Sequence, residues 1–283
     1  MNTIKSWAVA ALITLLPVAA SAQLVSFQPG TGRVEAKKVK KAQKTTEQTT
    51  SNAVETTVGA DIVSHYIWRG QDLAGFSIQP SASVGWKGLS LTAAGSASLD
   101  RDDYQEIDLT LGYKLGHFNI GVSDYWCTGI DTENRYMYYD VNYGAHKFEG
   151  NLGFTCKYFS LQGYCIFWGN DFKLDGSRAY STYIELGVPF KFGSLDWLVT
   201  AGMTPMESAG QWEEQTRMTE LGEHEVNVRV WDYAEGPACC HAAIRCTKEL
   251  NLGSMRMPVF AEMNMNPYLS KANLIFGVSI NVR

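Results

Sequence analysis

From Val54 onward, apolar and polar side chains alternate with a period of two, and this constrains the fold more than any motif does. Val54, Thr56, Val58, Ala60, Ile62, Ser64, Tyr66 and Trp68 share one face. Glu55, Asp61, His65 and Arg69 stand on the other, with Thr57, Gly59, Val63 and Ile67. Successive side chains of a strand point to opposite faces, so the alternation predicts one long opening strand. The pattern returns near 76–86, 89–99, 106–115 and 118–123, then at 148–157, 180–190, 195–201, 241–247, 256–264 and 274–282. Residues 160–169 are apolar on both faces, so their orientation is open. The reading is all-β, with about twelve strands.

The connections carry separate information. Those near 86–88, 115–117, 157–160, 191–194 and 250–254 are short, whereas those near 128–145, 169–178 and 205–236 are long and polar. Alternating short and long links is the rhythm of an antiparallel transmembrane β-barrel, with turns on the periplasmic side and loops outside. A soluble sandwich, the alternative architecture, has no reason to sort its loops this way. Closing the sheet also gives every backbone N–H and C=O a partner inside lipid.

The N-terminus carries an export pattern. Lys5 precedes a mostly apolar run from Ala8 to Ala20, and Ala20-Ser21-Ala22 is a small-x-small cleavage site, so residues 1–22 are expected to be a signal peptide. Residues 23–53 hold Lys37, Lys38, Lys40, Lys41 and Lys44 and then Thr, Gln and Ser, with few apolar groups to offset the entropy of ordering. They are expected to be a disordered periplasmic leader ahead of a barrel spanning 54–283. The expected location is the bacterial outer membrane. With 24 Lys and Arg against 29 Asp and Glu, the charge balance does not suggest a nucleic-acid partner.

The run Val58 to Leu73, with its Tyr66, Trp68, Arg69 and Gly70 element, resembles the opening strand of the TorF-family porins, an exported bacterial family. Further resemblance lies at Asp124-Tyr125-Trp126, at Tyr183 to Gly187 and at Met257 to Phe260. The stretch 239–246, with three of the six cysteines, departs from it. The resemblance implies an outer-membrane barrel with a channel role and no assigned substrate.

No nucleophile–base–orienter set can be placed on the strands, so the chain is read as a non-enzyme. A Ser and His pair on the outer wall is the feature that would point to a hydrolase. No cofactor and no metal are expected; the glutamates crowded into 205–236 read as a solvated acidic loop rather than a cation site. The six cysteines have no zinc-module spacing and are expected mostly as small apolar wall residues. The polar face carries Asp61, His65, Arg69, Glu106, Asp108, Lys114, Glu149, Lys157, Glu185, Asp196, Arg245, Arg256 and Glu262, which are expected to point into the lumen. Two functions fit these charges: a narrow porin for ions or small polar solutes, which is the preferred one, and a closed structural or surface-display barrel. The expected partners are outer-membrane lipid, lipopolysaccharide and the barrel assembly machinery. From Val54 on there are 17 Lys and Arg against 27 Asp and Glu, so a channel would carry a weak cation preference set at an acidic outer mouth.

Overall fold

The computed structural model describes residues 53–99, 104–128, 135–219, 222–252 and 255–282, without the side chains of 214–227, 252–256 and 281–282. The expected signal peptide and leader lie outside the described residues.

Twelve strands close into one antiparallel barrel. They are β1 (Glu55–Val63), β4 (Ser77–Trp86), β5 (Leu89–Ser98), β6 (Gln105–Leu115), β7 (Phe118–Cys127), β8 (His146–Thr155), β9 (Ser160–Gly169), β10 (Thr182–Phe192), β11 (Leu195–Thr204), β14 (Ala238–Leu252), β15 (Met255–Asn266) and β16 (Lys271–Val282). The ring closes where β1 pairs with β16, from Val58↔Val282 to Val63↔Gly277. Two further pairs stand apart from the wall: β2 (Tyr66–Trp68) with β3 (Gln71–Ala74), and β12 (Gly210–Thr219) with β13 (Gly222–Trp231).

Two features depart from the sequence expectation. The predicted opening strand stops at Val63. Ser64 ends it by bonding the far side of the seam: its N–H donates to the Phe276 carbonyl (2.8 Å) and its hydroxyl accepts from the Phe276 N–H (2.9 Å). The chain then enters β2, where Tyr66, Ile67 and Trp68 are all buried. The second departure is in 205–236, where the expected polar loop contains the ten-residue strands of the β12–β13 hairpin.

The turns at 87–88, 116–117, 156–159 and 193–194 gather at one rim, while the short 267–270 turn lies at the other. Lys87 and Gly88 both have positive φ (50° and 87°), as the two central residues of a tight hairpin turn require. The described residues of the 135–145, 169–181, 205–219 and 222–237 connections gather at the opposite rim, which by the rhythm above is the outer one.

The two faces of the wall differ in kind. Outside, Leu91, Leu109, Leu111, Ile120, Val122, Leu152, Val188, Phe190, Leu274 and Phe276 are all exposed. So large an apolar surface is far beyond what a protein in water leaves uncovered. Strands of this length, tilted, match an apolar band about 25 Å tall. Toward the inner rim, aromatic pairs form a belt: Phe118 and Phe154 meet edge-on at 5.3 Å, and Phe190 stacks on Trp197 at 6.1 Å. Inside, hydroxyls and amides bond across strands: Thr92 donates to Ser83 (3.0 Å), Thr110 and Ser123 meet at 2.9 Å, and Asn119 donates to Gln162 (3.1 Å).

Candidate functional site

The outer half of the lumen is filled by the chain itself. The β2–β3 hairpin leaves the rim between β1 and β4 and turns inward. Its two-residue tip is Arg69-Gly70, between the paired Trp68 and Gln71. Both tip residues have positive φ, 47° and 82°. Such tight turns favour Asn-Gly or Asp-Gly, so an arginine there sits against local preference.

The tip crosses the whole barrel. Arg69 forks onto Glu149 of β8, with Nη1 to Oε2 at 2.7 Å and Nη2 to Oε1 at 2.8 Å. Its Nη1 also donates to the Tyr233 hydroxyl (2.6 Å). The guanidinium lies 4.2 Å from the ring centre of Tyr164 on β9 and 4.6 Å from that of Tyr183 on β10, with Trp68 at 4.4 Å. In the closed strand order, β9 stands six positions from β1 in either direction, so the hairpin reaches the opposite wall. A Cβ on Gly70 would fall 2.0 Å from the Cys240 carbonyl oxygen, and the Gly70 carbonyl accepts from Asn266 (3.2 Å). Gln71 donates to the Asp232 carbonyl. Around this tip, Tyr66, Trp68, Leu73, Tyr104, Tyr125, Cys127, Tyr164, Ile166, Tyr183, Tyr233 and Cys240 form one buried cluster.

The charged residues expected in the lumen sort into three groups. Asp61, Glu106, Asp108, Glu149, Glu185, Arg245 and Glu262 stand on inward faces. Glu149 is 1 % exposed and takes a further bond from the Tyr125 hydroxyl (2.9 Å). Glu106, next to Asp108, accepts from Tyr104 (2.6 Å). Arg245 donates to Glu262 (2.5 Å), which also accepts from Asn264 (3.0 Å); Asp61 bonds Ser279 and lies in the field of Arg245. Glu185 accepts from Tyr183 (2.9 Å), whose oxygen meets His241 Nδ1 at 2.8 Å. Lys114 and Asp196 lie nearer the inner rim. Lys114 is exposed, and Asp196 pairs with Lys191 at 2.7 Å.

The third group departs from the expectation. Arg69 reaches the lumen, but from the hairpin rather than from a wall strand. His65 lies in the exposed bend between β1 and β2, because the strand has already ended at Val63. Lys157 lies in the exposed turn between β8 and β9, its ammonium 4.6 Å from the Tyr158 ring centre. The side chain of Arg256 lies outside the described residues, as do those of Glu214, Glu220, Glu223 and Glu225.

Several inward groups were missed. Lys147 is fully buried, 3.8 Å from Asp232. Lys147 sits at the start of β8, one residue before the alternation becomes legible, and Asp232 lies in the expected loop. Tyr125, Tyr164, Tyr183 and Tyr233 carry no charge, and aromatic residues are equally at home on a lipid face. Cys127 and Cys240 are buried inward and Cys239 is exposed. Cys240 occupies a register shift in β14, where Gly202 faces His241 but Met203 faces Cys239. Such a bulge re-aims the backbone, and here it presents the carbonyl that abuts Gly70.

The outer wall does hold an acid–histidine pair. Asp124 meets His146 Nδ1 at 2.8 Å. The other ring nitrogen is held by the Tyr136 backbone carbonyl rather than by a hydroxyl, and Tyr139 stacks on the ring at 3.8 Å. The pair anchors the 135–145 segment against the wall.

An apolar outside, a polar inside and a sheet with no edge together define an outer-membrane-type β-barrel, and its place is the outer membrane. Solved structures similar to the chain include an outer membrane channel from Pseudomonas putida F1 (10% identity, TM-score 0.37, covering 84% of this chain and 99% of that one). Salmonella typhi OmpF, in a complex with daunomycin, shows 9% identity and TM-score 0.35 over 82% and 98%. Pseudomonas aeruginosa OccK9 shows 10% identity and TM-score 0.30 over 81% and 63%. No protein-family model and no curated protein matches the chain. The barrel architecture rests on the strand pairing described above.

Proposed function

We propose that this barrel is an outer-membrane channel for ions or small polar solutes, closed at its outer half by the β2–β3 hairpin. The observation that carries the reading is the contrast between the two halves of the lumen. Below the tip the wall presents hydroxyls and amides, mostly buried and bonded to one another across strands, groups that can equally bond water or a polar solute. Above it, a separate hairpin packs its Tyr66, Trp68 and Leu73 among the wall side chains Tyr125, Tyr164, Ile166 and Tyr183, attached at one rim and removable without breaking a barrel strand. The resemblance to TorF-family porins supports the same reading. Export by a cleaved signal peptide at 1–22, a leader at 23–53, insertion by the barrel assembly machinery and contact with lipopolysaccharide belong to this proposal.

A second reading has its own support. The cluster around Trp68 is packed like a protein core, as a permanently closed structural barrel would be. Because Val63 pairs with Ser77, a short Gly-Ser turn can replace residues 65–75. In planar-bilayer recordings, the wild type is expected to conduct rarely and the replacement variant steadily. A variant that is folded yet silent would favour the structural barrel.

A further inference from the structure

Arg69 occupies a pocket that has the chemistry of a ligand site. Its floor is Glu149, held by the Tyr125 hydroxyl, and its walls are the faces of Tyr164 and Tyr183, with Tyr233 capping one Nη. Aromatic faces attract cations, and a planar guanidinium both stacks on them and forks onto a carboxylate. None of these wall groups belongs to the hairpin. When the hairpin leaves, Glu149 keeps its bond from Tyr125 and the flanking rings but loses its cation, and a second guanidinium can take that place.

The conformation of Arg69 points the same way. A non-glycine residue at φ 47° in a tight turn is uncommon; Lys87 adopts φ 50° at another such tip, but there the side chain is exposed, whereas that of Arg69 is buried. Asn or Asp would satisfy the turn at less cost. What arginine adds is occupancy of the pocket.

We propose that Glu149, Tyr125, Tyr164, Tyr183 and Tyr233 form a binding site for small guanidinium-bearing solutes, with Arg69 as its resident internal occupant. The solute class deepens the channel reading and rests on it. A solute that displaces Arg69 frees the tip and so favours the open lumen. Arg69 competes from a tether, at an effective concentration in the millimolar range or above. The wild type therefore responds only at much higher solute concentration than a barrel lacking the arginine.

The test uses the refolded barrel in detergent, with methylguanidinium as probe and potassium chloride at equal ionic strength as control. Thermal unfolding and intrinsic fluorescence are followed in the wild type, Arg69→Ala and Arg69→Ala/Glu149→Gln. Methylguanidinium should raise the Tm of Arg69→Ala saturably at millimolar concentration. The wild type should need at least about tenfold more, and the double variant should show no saturable shift. If Arg69→Ala does not refold alone, its refolding yield with methylguanidinium present is the reading, and restored yield supports the site. No saturable shift in folded Arg69→Ala, an equal shift in the double variant, or unrestored yield overturns it. These readings need no conductance. Binding without conductance overturns the channel and leaves the site standing, whereas conductance without binding overturns the site alone.

Discussion

Arg69 and Glu149 are each almost wholly buried, so neither is at ease alone. Removing one partner of a buried ion pair leaves an uncompensated charge and typically costs about 3–5 kcal/mol. Glu149→Gln is therefore expected to destabilise the barrel by about that amount in urea unfolding from detergent. Combining it with Arg69→Met should cost less than the sum of the single changes, because the two groups act as one unit. Additive losses would show that the fork contributes little. Gly70 allows a separate check. Its φ of 82° and the Cys240 carbonyl 2.0 Å from any added Cβ leave no room for a side chain. Gly70→Ala should dislodge the hairpin tip and raise conductance while the wall strands still form. A Gly70→Ala barrel as silent as the wild type would mean that the tip has slack.

At the scale of elements, the charge of Asp232 links the cap over the hairpin to pH. Burial, and then the charge of Asp171, push its carboxyl up to about 7, against the pull of Lys147. A raised carboxyl favours the folded state at low pH, and that contribution is lost as pH rises through about 7. The segment between β13 and β14 should therefore loosen progressively between about pH 4 and 7 and change no further above that, seen as faster amide exchange at Tyr233 and Ala234. Asp232→Asn should flatten the dependence; an unchanged pH profile in that variant would remove Asp232 from the account. Topology gives a further test. Protease added to intact cells should cut within 135–145 or 205–236, and a cysteine placed at Gly193, in an inner-rim turn, should stay unlabelled from outside.

The wall was legible in the sequence wherever one face met lipid and the other a polar lumen. Leu109, Leu111, Ile120 and Val122 outside, against Asp108, Thr110 and Ser123 inside, give a clean period of two. The hairpin was not legible, because period two marks a strand with two unlike faces. Tyr66, Ile67 and Trp68 are buried on all sides, and their alternation with His65 and Arg69 merely continues that of β1. The one local sign of a tip was Arg69-Gly70, and an arginine ahead of a glycine is a weak turn signal. The ion pair itself joins residues 80 positions apart, a contact that only the closed ring creates. The β12–β13 hairpin was masked differently, its charge suggesting a solvated loop.

The whole molecule is a membrane barrel whose outer lumen is filled by a hairpin of its own chain. The barrel should fractionate with the outer membrane and migrate differently in denaturing gels before and after boiling; recovery as a soluble periplasmic protein would contradict it. The seal can be read at two native thiols. Cys127 and Cys240 are both fully buried around the hairpin, whereas Cys239 is exposed. A membrane-impermeant maleimide, followed peptide by peptide in a mass spectrometer, should label Cys239 and spare Cys127 and Cys240 in the wild type. In the variant whose residues 65–75 are replaced by a short turn, Cys127 and Cys240 should become labelled as well. Labelling of both in the wild type, or protection of both in a folded replacement variant, would contradict a lumen sealed by that hairpin.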